Sequence, residues 1–270
     1  MLQRKPVVWN SDIDEGRAVR ACRDGRAFDV MPDWASKTKP FPVLILSKLS
    51  RAAITTYKPC SVELRLDLIG LQNESISIFN RTKKFISELR AEKISVLLTA
   101  RLCRDGGEWN ASKENLRRKI LFELAPSSDA LDLEAEILEE KKGRIFAELL
   151  KKRMRVGAAL IVSHHDLKKM PNLIKLNNIR AMALRVKANR LKIAVMTKNE
   201  KETEKIADWA VANSCEELPI TVIAMGSIGR WTRWVMPLRL GGPAYAPVGR
   251  PVASGQISYR ELNKLLEKSK

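Results

Sequence analysis

Apolar and polar positions along the chain fall into two alternating rhythms. Short apolar runs of strand length occupy 42–47, 61–67, 96–101, 130–134, 157–163, 191–196, 219–225 and 243–248. Between most of them lie longer stretches whose apolar residues recur at helical spacing, as in 78–93, 112–124, 171–187 and 199–214. Runs this short and this apolar predict strands buried on both faces, and the stretches between them predict helical crossovers to parallel neighbours. Eight such units within residues 41–270 predict an α/β chain folded as a (β/α)8 TIM barrel, closed rather than an open doubly wound sheet. Only fifteen residues separate Ser47 from Glu63, so the first crossover helix must be abbreviated. Residues 1–40 do not join the rhythm. They are mixed in charge and broken by Gly and Pro, and read as an appended N-terminal segment of unassigned role, a short helix plus loop.

The second run, SVELRLD, carries its charges on one face. Period-2 alternation puts Glu63, Arg65 and Asp67 together, with Val62, Leu64 and Leu66 opposite. In a barrel the outer strand face packs on helices, so the charged face must point inward and build a polar pocket toward the C-terminal mouth. Lys192 lies in LKIAVM, an apolar run that reads as buried. Burying an ammonium is costly, and a lysine that sheds its proton becomes a nucleophile suited to attack on a ketone. The run ending at 163 is followed by His164 and His165, at the strand end where barrel enzymes carry chemistry, so one of the pair reads as a general base. Asp166 reads as the cap of the turn that follows, with Pro171 opening the next helix. Arg101 ends the third run and Arg233 follows the seventh; an arginine fork at a strand end suits carboxylate recognition. Gln256, near the C-terminus, is a hydrogen-bonding candidate at the mouth.

Composition narrows the picture. At 45% hydrophobic residues the chain can bury a sizeable core, and it has no apolar run long enough to span a membrane and no apolar leader at its start, so it reads as soluble, intracellular and cytoplasmic. Four widely spaced cysteines and two adjacent histidines support neither a disulfide framework nor a zinc site. A net charge of +18 calls for an anionic partner without saying which. The densest basic stretch, residues 141–155, has apolar residues at helical spacing and reads as a solvated helix face.

Taken in order, VELRLD, LLTARLCRDGGEW, LDLE, IVSHHDLKKMP, LKIAVM, AMGSIGRWTR and ASGQIS resemble the type I 3-dehydroquinate dehydratases, from about residue 42 to the C-terminus. The resemblance implies a barrel lyase of the shikimate pathway, a step in aromatic amino acid biosynthesis, that converts 3-dehydroquinate to 3-dehydroshikimate without metal or organic cofactor, as a homodimer. Matched by motif, Lys192 forms the imine, His165 moves the proton, and Asp105 stands where the family has a glutamate that orients the histidine. Glu63, Arg65 and Arg101 line the pocket, Arg233 pairs with the substrate carboxylate, and Gln256 closes from the last loop. Two departures stand out. Asp105 is one methylene short of that glutamate, and VASGQIS replaces the commoner SAPGQ, putting Val252 in place of serine and Ser254 in place of proline.

Two other readings follow from the same residues. One is another Schiff-base lyase of aldolase type, which would need a glycine-rich phosphate site after the seventh and eighth strands; MGSIG alone is a poor match. The other is a basic barrel that contacts nucleic acid, which the charge favours. Aromatic content of 6% and the lack of RNP-like or zinc motifs put it third.

Overall fold

The computed structural model describes residues 32–37, 39–249 and 255–268. The eight strands are β1 (Pro40–Leu46), β2 (Ser61–Arg65), β3 (Ser95–Thr99), β4 (Ala130–Glu134), β5 (Ala159–Asp166), β6 (Arg190–Met196), β7 (Ile220–Met225) and β8 (Gly242–Pro247). Helices α1 (Arg51–Tyr57), α2 (Leu66–Ile69), α3 (Ile76–Ala91), α4 (Glu114–Leu124), α5 (Lys141–Arg153), α6 (Leu173–Arg185), α7 (Glu200–Asn213), α8 (Thr232–Leu240) and α9 (Tyr259–Lys268) complete the element order. Every paired neighbour is parallel, in the order β7-β6-β5-β4-β3-β2-β1-β8. The barrel is nearly rather than fully closed. Among the described residues β7 and β8 share no ladder, and Pro243 and Pro247 of β8 have no N–H to contribute to one.

Alternation sorts the strand residues into two cores. Outward positions such as Leu64, Leu98, Leu133, Val162, Ile193 and Val222 pack under the helices. Inward positions Phe41, Val43, Leu97, Ala130, Ile161 and Tyr245 fill the barrel. Trp34 joins the inner core from the segment before β1, edge-on to Phe41, with its indole N–H on Ser95 Oγ at 2.8 Å. Its carbonyl and that of Ser36 accept from the buried guanidinium of Arg190. Several helices start on side-chain caps, which satisfy orphan N–H groups at the first turn: Ser50, Ser75, Asn172 and Asn199 each accept from the N–H three residues on.

The abbreviated first crossover is present, as the seven-residue α1. Three details differ from expectation. β2 stops at Arg65, because residues 66–69 coil into α2, so Asp67 is not a strand residue. β5 runs through to Asp166, so His164 and His165 are strand residues and not part of a loop. Pro171 precedes the cap Asn172 and stands outside α6, while Asp166 does take the turn, accepting from the N–H groups of Lys168 and Lys169. The short helix expected in residues 1–40 falls mostly outside the described residues, as do Val252 and Ser254.

Candidate active site

The inward charges of β2 and β4 meet Arg101, just past the end of β3, above the apolar half of the barrel. Glu63 accepts from Thr99 Oγ1 at 2.7 Å. Arg65 forks onto Asp67, with Nε and Nη2 at 3.0 and 2.7 Å, and Asp67 also accepts the backbone N–H groups of Arg101 and Glu108. That carboxylate ties the end of β2 to the turn after β3. The same turn needs Gly107, where a Cβ would stand 2.1 Å from the carbonyl oxygen of Arg101. Arg101 is buried and donates to Ser163 Oγ and Asp132 Oδ1, both at 2.8 Å, with Glu134 at 3.4 Å. Burial would pull its pKa down, but Asp132, Glu134, Glu63 and Asp105 outweigh it and hold the guanidinium charged. From outside the barrel, the buried Arg117 of α4 donates to Glu134 and to the carbonyl of Ala100, which steadies Glu134 in turn.

Lys192 sits at the centre of this network. Its Nζ lies 3.7 Å from Glu63 Oε1, 3.6 Å from Asp132 Oδ2 and 4.1 Å from the centroid of the Tyr245 ring. The residue is 5% exposed, so it does not snorkel to solvent from the strand start. Asp132 Oδ2 has no hydrogen bond of its own and faces the ammonium as a bare charge. Burial pushes the Asp132 carboxyl up, yet Arg101 and Lys192 overcome it and hold it below the usual carboxylate range.

His165 follows Ile161 and Ser163 on the inward face of β5, and β5 pairs with β6 so that Ser163 lies beside Lys192. Burial, then the cations Arg101 and Lys192, then His164, hold its pKa well below 6.5, so the ring is neutral near pH 7 and able to accept a proton. Its Nδ1 is buried without a partner. Asp105, in the 3-10 turn Cys103–Asp105, makes its ion pair with Arg104 at 3.4 Å and accepts no hydrogen bond from that Nδ1.

The other mouth residues come from β7 onward. Arg233 is in the first turn of α8, which Thr232 pins to the end of β7 by donating to Gly229 and accepting from the Ala224 N–H. Its Nε is buried without a hydrogen bond, and burial lowers its pKa to about 10. At that value the guanidinium stays charged near pH 7, a donor suited to pairing with an anion. Gln256 stands in the loop before α9, beside Gly255, whose Cα lies against the carbonyl of Gly226 at the end of β7. Lys192, Glu63, Arg101 and His165 are thus gathered on one side of the mouth, and Arg233 and Gln256 on elements that follow β7. Among the described residues no three His, Cys, Asp or Glu side chains converge as a metal set.

Several residues around the site escaped the sequence reading. Asp132 and Glu134 were legible by the alternation that exposed Glu63 and Arg65, since ALDLE has the same charged-and-apolar rhythm. Tyr245 carried no such signal. His164 was passed over for its neighbour, and the structure sets it on the opposite side of β5, against Glu136.

Fold and pocket together define a (β/α)8 barrel whose buried lysine lies among inward-facing carboxylates of the strands. Residues 45–270 match the family model of the type I 3-dehydroquinase. The chain belongs to that family. Among its relatives, the 3-dehydroquinate dehydratase of Methanococcoides burtonii is 29% identical over 208 residues, 76% of this chain and 83% of the relative. That of Methanothrix thermoacetophila is 30% identical over 206 residues, covering 76% and 80%. The crystal structure of the 3-dehydroquinate dehydratase from Geobacillus kaustophilus superposes with a TM-score of 0.72 at 22% identity, covering 86% of this chain and 91% of that one. The enzyme from Aquifex aeolicus gives 0.67 at 22% identity, covering 84% and 98%. Those likenesses support the barrel fold.

Proposed function

We propose that the chain is a hydro-lyase that converts 3-dehydroquinate to 3-dehydroshikimate through a Schiff base on Lys192, in the shikimate pathway. The observation that carries the reading is the placement of Lys192 Nζ, buried and within 4 Å of both Glu63 and Asp132, in a chain of the type I family. Two carboxylates beside one amine can take up and return its protons as it passes from ammonium to amine to iminium. In this reading the amine adds to the C3 ketone and the carbinolamine loses water. The iminium acidifies the C2 proton, neutral His165 removes it, and the C1 hydroxyl departs as water after receiving a proton from the same ring; a water then hydrolyses the product imine, releasing 3-dehydroshikimate and the free Lys192 amine. Arg233 pairs with the substrate carboxylate, Glu63, Arg65 and Arg101 hold the ring hydroxyls, Gln256 closes from the last loop, and Asp105 sets the local field around His165. No cofactor enters the scheme. A homodimer in the cytoplasm is the form that family membership favours.

Borohydride trapping tests the reading. Incubation with 3-dehydroquinate and reductant is expected to add the mass of the reduced adduct to the peptide bearing Lys192, and Lys192→Ala is expected to abolish both adduct and turnover. An adduct elsewhere, or turnover by the alanine variant, would overturn it.

A further inference from the structure

We propose that Glu136 and His164 form a positioning pair that fixes the end of β5 and so aims the ring of His165. The inference rests on the reading above, in which His165 moves the proton. Backbone pairing holds the two sides of β5 unequally. Toward β6 the ladder continues to Asp166 beside Val195, whereas toward β4 it ends at Glu134 beside Ser163. The residues that carry the two histidines are therefore tied by backbone on one side alone.

Beyond Glu134 the chain leaves the sheet as the 3-10 turn Ala135–Glu139, and there Glu136 Oε1 meets His164 Nδ1. A side-chain bond takes over where the ladder stops. His164 is 2% exposed, and its Nε2 and the Oε2 of Glu136 have no other partner, so each side chain is committed to the other. The Glu136 carboxyl is pushed up by burial, but His164 outweighs this and holds it below the ordinary range, as a working contact requires.

His165 depends on such a tie because its own ring lacks one at Nδ1. Asp105 engages Arg104 instead. With no carboxylate on the imidazole, its aim is set by the strand end from which it projects. A misplacement of about 1 Å in a reacting group can cost about a hundredfold in rate.

The test separates the step that His165 performs from the step before it. His164→Ala and Glu136→Ala are expected to lower kcat about tenfold and leave KM within about twofold. The rate of borohydride capture on Lys192 should not change, because the imine forms before His165 acts. His164→Asn, whose amide N–H stands near the place of Nδ1–H, and Glu136→Gln, which keeps an acceptor, should recover most of the loss. In a His165→Ala background, His164→Ala should cost nothing more. An unchanged kcat in both alanine variants, slower capture, or an equal loss in the His165→Ala background would overturn the pairing while leaving the Schiff base standing. If the parent protein gives no adduct on Lys192, the proposed function falls and the pairing falls with it.

Discussion

Asp105 carries a charge that the fold resists. Burial, then Glu136 and Glu134, raise its carboxyl to about 6 against the pull of Arg101 and Arg104. In the unfolded chain it titrates near its ordinary 3.8. Between those values the folded protein keeps a proton that the unfolded chain has lost, so stability falls as pH climbs from about 4 to about 6 and stays lower above that range. The shift corresponds to at most about 3 kcal/mol. Asp105→Asn keeps the shape and removes the charge. It is expected to be more stable than the parent at pH 8 and equal to it at pH 4 in denaturant titrations; the same gap at both values would mean that the carboxyl is not raised by its surroundings. The variant should also turn over more slowly, because the field around His165 loses an anion.

At the scale of elements, the strands were legible because burial on both faces leaves an unbroken apolar run, and the charged face of β2 because alternation repeats every two residues. Boundaries were less so. The run 157–163 was expected to stop before the histidines, yet pairing with β6 carries β5 on to Asp166, and only a neighbouring strand can reveal that. His165 and Arg101 could be nominated from position at strand ends, and Lys192 from its place inside a buried apolar run. That Asp132 faces the lysine while also holding Arg101 is a tertiary fact, arising from the stagger of β4 against β6. The shorter side chain of Asp105 was legible, but its pairing with Arg104 was not. The loop before α9 makes a sharper prediction. Gly255 has φ +76°, and a Cβ there would stand 2.0 Å from the carbonyl oxygen of Gly226. Gly255→Ala must therefore push the loop off the end of β7. If Gln256 closes over substrate, KM for dehydroquinate should rise about tenfold or more, with the unfolding temperature changed by only a few degrees, since the loop lies at the barrel rim. An unchanged KM would remove Gln256 from the binding surface.

The whole molecule adds a field to these local arrangements. Its formal charge is +18, while the proposed substrate carries a carboxylate. Within the mouth the carboxylates Glu63, Asp132 and Glu134 are largely answered by Lys192, Arg101 and Arg117, whereas among the described residues the half-buried Arg233 makes no ion pair. Arg233 thus adds positive charge at the mouth, of the same sign as the net charge of the chain. A net positive charge of this size attracts an anion over long range, and Arg233 offers it a final partner. Between about 0.01 and 0.15 M ionic strength the screening length contracts from about 30 to about 8 Å. Over that range kcat/KM for dehydroquinate is expected to fall severalfold while kcat holds steady, because the bound substrate is shielded from salt by the barrel wall. Arg233→Gln should lower kcat/KM at every ionic strength but keep the slope, since long-range attraction belongs to the surface and the final pairing to one residue. A flat salt profile in the parent protein would show that the excess charge plays no part in substrate capture.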